Sequence, residues 1–234
     1  MKKIIKVFLI FSLAAIIIYA CKEEYSSTNT ALNHGNSVLS QRTDPCENVS
    51  DYCGNVAPIT QTFMVFHPQF PQCTFYVKVI YKICAPNIDI KLVEYYSDPP
   101  CEDWFDYVAA LSPGSINTYL RNFEMDLIRE VVRILGANFA PPCGSSTPPV
   151  TAGYTHSSCS KHCVYRNAGN KIYVRTLWCG NGCCRMNYYV CINSNNEVIV
   201  TNDPPSPVGQ CTVLANLPCP EGSIFETQCY SRCN

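Results

Sequence analysis

Polar and apolar residues alternate through much of the stretch from Thr60 to Tyr96, and turn signals divide it into three strands. TQTFMVF (residues 60–66) is the first, and the proline-rich HPQFPQ closes it. CTFYVKVIYKIC (73–84) is the second. Its aromatic and β-branched content suits a pleated surface, although Phe75, Val77 and the side of Ile80 alternate with polar residues imperfectly. After the turn APN, IDIKLVEYY (88–96) alternates more cleanly. Ile88, Ile90 and Leu92 share one face, and Asp89 and Lys91 the other.

The period then changes. In SPGSINTYLRNFEMDLIREVVRILG, the residues Ile116, Leu120, Phe123, Leu127, Val131 and Leu135 recur every three to four positions. That spacing predicts an amphipathic helix over 115–136 whose apolar stripe covers a sheet face. Arg121, Asp126, Arg129 and Arg133 lie off the stripe. Ser115, or Ser112 with Pro113 in the first helical position, is placed to cap it, and Gly136 to stop it.

APPCGSSTPPVTAG (140–153) breaks the chain. Beyond it CVYR, KIYVRTLW, CCRMNYYVCI and EVIVT are separated by NAGN, GNG and NSNN, loops of hairpin length and chemistry. They predict a β-meander, followed by a loop-rich tail. The expected fold is α+β and disulfide-rich, mostly antiparallel β-meanders with one long amphipathic helix. Residues 46–143 would form a first half containing the helix, and 154–234 a second, cysteine-rich half. One continuous domain over 46–234 is the alternative.

The N-terminus follows different rules. Lys2, Lys3 and Lys6 precede an apolar run, Val7 to Ala20. The run is shorter than the ~20 residues a membrane-spanning helix needs, but it suits the core of a signal peptide over residues 1–20. It ends at Ile18, Tyr19, Ala20 and Cys21, four residues that resemble the lipobox of bacterial lipoproteins. The resemblance implies cleavage before Cys21 and lipid on its sulfur and amine. Two or more acyl chains anchor a protein stably where one is marginal. Lys22, Glu23 and Glu24 resemble the export signal of Bacteroidota-type lipoproteins. That implies an outer-membrane protein facing outward, the alternative being a periplasm-facing lipoprotein. Residues 22–45 are polar, rich in Ser, Thr and Asn, and read as a flexible tether from the lipidated cysteine.

Cysteine count agrees with this address. The chain has 17 cysteines, and setting Cys21 aside leaves an even number. In an exported protein these read as cystine halves: Cys46, Cys53, Cys73, Cys84, Cys101, Cys143, Cys159, Cys163, Cys179, Cys183, Cys184, Cys191, Cys211, Cys219, Cys229 and Cys233. Cys73 and Cys84 lie at the two ends of one strand, too far apart to bond. Adjacent Cys183 and Cys184 point to opposite faces of a strand and need different partners. Cys179 and Cys183 flank Gly-Asn-Gly and are expected to close that turn.

Without residues 1–20 the basic count falls by three lysines, from 17 to 14, against 18 acidic residues, a formal charge of −4. No basic surface of the kind that binds nucleic acid follows from that balance. G-x-S-x-G, H-E-x-x-H, P-loop and G-x-G-x-x-G motifs are absent from the sequence. HSSCSKHC (156–163) has the ligand types of a zinc site, but thiolate ligands need reduced cysteine, so cystines and loop histidines are expected there and neither metal nor cofactor. Asp98, Glu102, Asp103 and Asp106 gather around Trp104 and Phe105. Paired carboxylates beside an aromatic can hydrolyse glycosides, while a solvated acidic turn needs no chemistry at all. Tyrosine is abundant, with 15 copies, among them Tyr76, Tyr81, Tyr95, Tyr96, Tyr188 and Tyr189 on predicted strands. It packs cores and also recognises ligands with little entropy loss. The reading that accommodates these features is a non-catalytic envelope lipoprotein that binds a glycan, protein or host component. A hydrolase using the carboxylates near Trp104 is the alternative, and a protease inhibitor a third.

Intact mass spectrometry of the native protein tests the anchor and the cystines together. We expect acyl mass on an N-terminal Cys21 and, on reduction, a gain of one hydrogen for each of the other cysteines. Alkylation of several cysteines without prior reduction would contradict both.

Overall fold

A computed structural model describes Cys46, residues 52–213 and 218–231, and Cys233. Residues 1–20, expected to be a signal peptide, Cys21, Lys22, Glu23, Glu24 and the rest of the expected tether to residue 45 lie outside these residues. Residues 44–234 form one compact unit. Its strands are β1 (Ile59–His67), β2 (Phe70–Cys84), β3 (Asn87–Ser97), β4 (Val150–Ser157), β5 (Cys159–Arg166), β6 (Ile172–Trp178), β7 (Gly180–Ile192), β8 (Val198–Asn202), β9 (Ser206–Val213), β10 (Ser223–Glu226) and β11 (Tyr230–Ser231). Two helices, α1 (Glu102–Ala109) and α2 (Pro113–Gly136), lie between β3 and β4.

The protein is mostly β, as the alternation predicts, but the sheet is mixed and forked, not a pair of antiparallel meanders. β1, β2 and β3 pair in sequence order. The other edge of β3 is then shared. Its first part, Asn87–Ile90, takes β4 in parallel, and its last part, Tyr95–Ser97, takes β6 antiparallel. One arm of the fork continues from β4 to β7 and on to β8 and β9. The other runs from β6 to β5 and on to β10 and β11. The expected hairpin between KIYVRTLW and CCRMNYYVCI therefore does not form. Gly-Asn-Gly is the start of β7, where Gly180 and Asn181 pair with Val213 and Thr212 and Gly182 takes φ +88° beside a bulge. A side chain at Gly180 would meet the Thr212 carbonyl and the Cys159 sulfur, so only glycine fits.

The cysteines pair accordingly: Cys46–Cys183, Cys53–Cys84, Cys73–Cys101, Cys143–Cys191, Cys159–Cys211, Cys163–Cys219, Cys179–Cys229 and Cys184–Cys233. Cys183 and Cys184 do take different partners. The expected Cys179–Cys183 closure is replaced because no turn lies between them.

Helix α2 starts at Pro113 after Ser112, whose Oγ lies 2.9 Å from that of Ser115. Leu120, Phe123, Leu127, Val131 and Leu135 are buried on the sheet, with Ile128 and Val132 beside them. Gly136 does not stop the helix by a left-handed turn. It is the last helical residue, and the cap at Ala137 is right-handed. A Cβ at Gly136 would lie 3.0 Å from Val190, so this glycine lets the helix end approach β7 closely. The acidic segment after Cys101 is not a turn but the helix α1, which carries Trp104 into the core against Phe75 and Phe123.

One residue of α2 departs from the apolar stripe. Glu124 has no exposure to solvent and sits where the arms diverge. Its Oε1 accepts from Tyr154 Oη of β4 at 2.5 Å, and its Oε2 from Thr176 Oγ1 of β6 at 2.8 Å. His162 Nε2 of β5 lies 3.4 Å from Oε2. The other ring nitrogen of His162 is 3.3 Å from Tyr230 Oη of β11, which donates back to the Asn117 carbonyl of α2. A buried polar group is tolerable only when so satisfied.

Replacing Glu124 by Ala should lower the unfolding free energy by about 3 kcal/mol or more, because buried Tyr154 and His162 and half-buried Thr176 lose their acceptor. Glu124→Gln, which keeps one acceptor oxygen, should cost less. Denaturant unfolding with the disulfides intact measures both, and a neutral Glu124→Ala would contradict the role.

Candidate binding face: a cross-strand tyrosine ladder

The outer face of the sheet, opposite α2, is decided by one bulge. In β2 the odd positions Phe75, Val77, Val79 and Tyr81 point into the core, and the even positions point out, Ile80 among them. In β3 Ile88 and Ile90 point in. Continued by alternation, Tyr96 would point in as well. Instead Lys78 pairs with Glu94 and Val79 with Leu92, leaving Val93 opposite no residue. One extra residue reverses the facing of everything after it. Tyr95 and Ser97 become buried, and Tyr96 turns outward beside Tyr76.

Two further tyrosines complete a row. Tyr96 pairs with Tyr173 of β6, and Tyr173 with Tyr165 of β5. The order Tyr76, Tyr96, Tyr173, Tyr165 thus crosses four strands in register. Ring centroids are 5.1, 4.7 and 5.4 Å apart, with interplanar angles of 13°, 24° and 13°. The rings stack on one another, so the faces between rungs are taken and the ring edges and hydroxyls line the outer side of the row. Offset stacks of this kind add about 0.5–1.5 kcal/mol per pair beyond area burial. Met64, opposite Tyr76 on the edge strand β1, extends the row, and Phe66 lies two residues further on. Both are about half exposed, at 54% and 55%.

The ladder hydroxyls differ from those of six other tyrosines. Tyr52, Tyr81, Tyr154, Tyr188, Tyr189 and Tyr230 each donate to an acceptor in the protein. Among the described residues, the hydroxyls of Tyr76, Tyr96, Tyr173 and Tyr165 meet no such partner. Charges flank the row on both sides. Lys78 and Glu94 pair at 3.7 Å on one side, with Arg175 next along β6. Asp98 and Lys171 pair at 2.5 Å on the other, the lysine 5.5 Å from the centre of the Tyr96 ring. Burial pushes the Tyr96 and Tyr173 phenols above their ordinary value, with Lys171 opposing the shift, and takes Tyr165 up to about 12.

The residues singled out from sequence for catalysis lie elsewhere. Trp104 is 1% exposed and packs the core, so it offers no face to a ligand. Its acidic neighbours are dispersed among separate partners. Glu102 takes two bonds from Arg166, at 2.6 and 3.0 Å. Asp103 accepts from Gln72 at 2.7 Å, and Asp98 holds Lys171. The Arg166 bonds keep the Glu102 carboxyl below its usual range, opposite to the shift a general acid needs. In HSSCSKHC both cysteines are cystine halves, His162 faces Glu124, and His156 Nδ1 lies 3.0 Å from the Ser157 carbonyl. Groups of three or more metal-ligating side chains are absent among the described residues. Tyr165 and Tyr173 were not singled out from sequence. A four-residue NAGN loop would set Tyr165 opposite Ile172; in the structure the loop runs on through Lys171, and this one-residue shift sets Tyr165 opposite Tyr173.

Comparison with protein-family models, with curated proteins and with solved structures gives no match. The site must be interpreted on its own geometry.

The phenols of Tyr96, Tyr173 and Tyr165 hold their protons more tightly in the folded chain than in the unfolded one. Their stabilisation is complete below the ordinary tyrosine value of 10 and is lost as pH rises toward about 12. Absorbance titration should show Tyr165 ionising late, and unfolding midpoints should fall between pH 10 and 12. In a Tyr165→Phe protein that fall should be smaller.

Proposed function

We propose that this chain is a lipid-anchored envelope protein, displayed outward on the outer membrane, with a non-catalytic binding role carried by the tyrosine ladder. The observation that carries the reading is the row of four stacked rings whose hydroxyls are left without protein partners. Folding gains from the stacking, but it gains nothing from four hydroxyls held in line at the surface. Tyrosine supplies large, rigid contact area at low entropy cost. The lipobox at Cys21 and the Lys22-Glu23-Glu24 signal support the address, since a tether of about two dozen residues would hold a rigid binding module clear of the membrane. The dispersal of Asp98, Glu102 and Asp103 among separate partners favours binding over hydrolysis.

The full-length protein, presented on liposomes, can be screened against arrays of glycans and of extracellular proteins. Retention of a ligand should fall about tenfold or more in Tyr96→Ala/Tyr173→Ala, as loss of one to two kcal/mol of contact requires. It should be unchanged in Glu102→Gln, and the ligand should be recovered uncleaved. Three results would overturn the reading: no retention at all, retention indifferent to the ladder, or ligand cleavage lost in Glu102→Gln.

A further inference from the structure

Resting on that reading, we infer that the ladder takes an uncharged, extended glycan of equatorially linked pyranose rings, lying across the strands along the tyrosine row. Three features of the row select this ligand: its repeat, its exposed chemistry and its charge.

The repeat is 4.7–5.4 Å from ring to ring. An extended peptide presents side chains to one face every ~6.7 Å, twice the strand rise, and falls out of step after two rungs. A polyproline helix repeats every ~9 Å and matches worse. A sugar chain linked equatorially at both ends of each ring advances per sugar by close to the ladder spacing. It can therefore set one sugar against each tyrosine over the whole row. Axial linkages curl the chain and lose that register.

The exposed chemistry is polar at regular intervals. Because the ring faces are stacked on one another, a flat aromatic ligand finds no face within the row. What remains outward is the electropositive C–H edge of each ring and a hydroxyl that both donates and accepts. Sugar hydroxyls and ring oxygens complement both. At the β1 end, Phe66 is exposed and stacks on no other ring among the described residues, so its face is free for the C–H side of a sugar.

Charge excludes the ionic polymers. Each flank carries both signs: Lys78, Glu94 and Arg175 on one side, Asp98 and Lys171 on the other. A polyanion would meet Glu94 and Asp98, and a polycation the three bases. Neutral hydroxyls can donate to the carboxylates and accept from the cations, and such charge-assisted bonds are the stronger kind.

Native affinity electrophoresis of the full chain tests this with three uncharged β-linked polysaccharides (mixed-linkage glucan, galactomannan and arabinoxylan), with α-linked dextran and polygalacturonate as controls. We expect retardation by at least one of the three and by neither control. Tyr96→Ala/Tyr173→Ala should weaken it about tenfold or more. Tyr96→Phe/Tyr173→Phe keeps the stack, so its unfolding midpoint should match the parent while its affinity falls several-fold, as two lost hydrogen bonds imply. Failure of all three polysaccharides, or full affinity in the Phe pair, would overturn the glycan assignment. Ladder-dependent capture of polygalacturonate or of an extended peptide would overturn it too but leave the binding role standing. Retardation indifferent to both tyrosine pairs would sink the glycan assignment and the binding role together.

Discussion

A forked sheet has an energetic problem at the fork. Where β4 and β6 part from the shared edge of β3, neither can pair with the other, and the helix above must close the gap. Apolar side chains from α2 close most of it, but they have no directional preference for one arm over the other. Glu124 supplies the direction. Its two oxygens bond Tyr154 of β4 and Thr176 of β6, with His162 of β5 within reach of the second. In a low-dielectric interior such bonds are strong when made and costly when missing. The position of both arms under α2 is thereby specified more narrowly than hydrophobic contact alone would specify it. Tyr230 adds the far end of the chain to the same cluster.

The fork matters for the outer face because it lets β6 reach the end of β3. Without it, Tyr173 would have no route to Tyr96. The bulge at Val93 matters equally, since it turns Tyr96 outward while keeping Tyr95 against Phe123. Two local irregularities, one in connectivity and one in register, therefore build a regular array on the surface. Rings held by stacking and by four paired strands have little side-chain freedom left, which is the preorganisation that the proposed binding role calls for.

Sequence reasoning reached the parts of this structure that depend on near neighbours. The strands 60–66, 73–84 and 88–96, the helix near 115–136 and the hairpin around NAGN each follow from patterns within some twenty residues. What it missed depends on contacts between distant segments. Gly-Asn-Gly looks like a turn until β9 arrives to pair with it. DPPCEDWFD looks like a solvated acidic loop when it is read alone, because the residue that gives Trp104 its helical period, Val108, lies beyond it. Glu124 looks like a polar residue beside the stripe, since nothing local announces that three strands will bring hydroxyls and an imidazole to it. The ladder was not legible. The NAGN hairpin brings the strands of Tyr165 and Tyr173 together, but only the extra loop residue Lys171 sets the two opposite each other, and Tyr96 joins them through a bulge and a pairing 77 positions away in sequence.

The disulfides show how the chain manages the region where its core runs out. The first three strands and α2 share a continuous apolar core, and only two of the bridges lie wholly within residues 52–101. The end of the chain is different. β10 and β11 have four and two residues, too short for ladder bonds to hold them. Cys219, Cys229 and Cys233 instead tie this tail to Cys163, Cys179 and Cys184. The tail is not peripheral to the outer face, because β10 pairs with β5 beside the last rung, Ser223 opposite Tyr165. Cross-links that constrain the unfolded chain are worth most where packing contributes least. Here they hold in place the strand that bounds the ladder, so the covalent frame and the tyrosine row are parts of one arrangement.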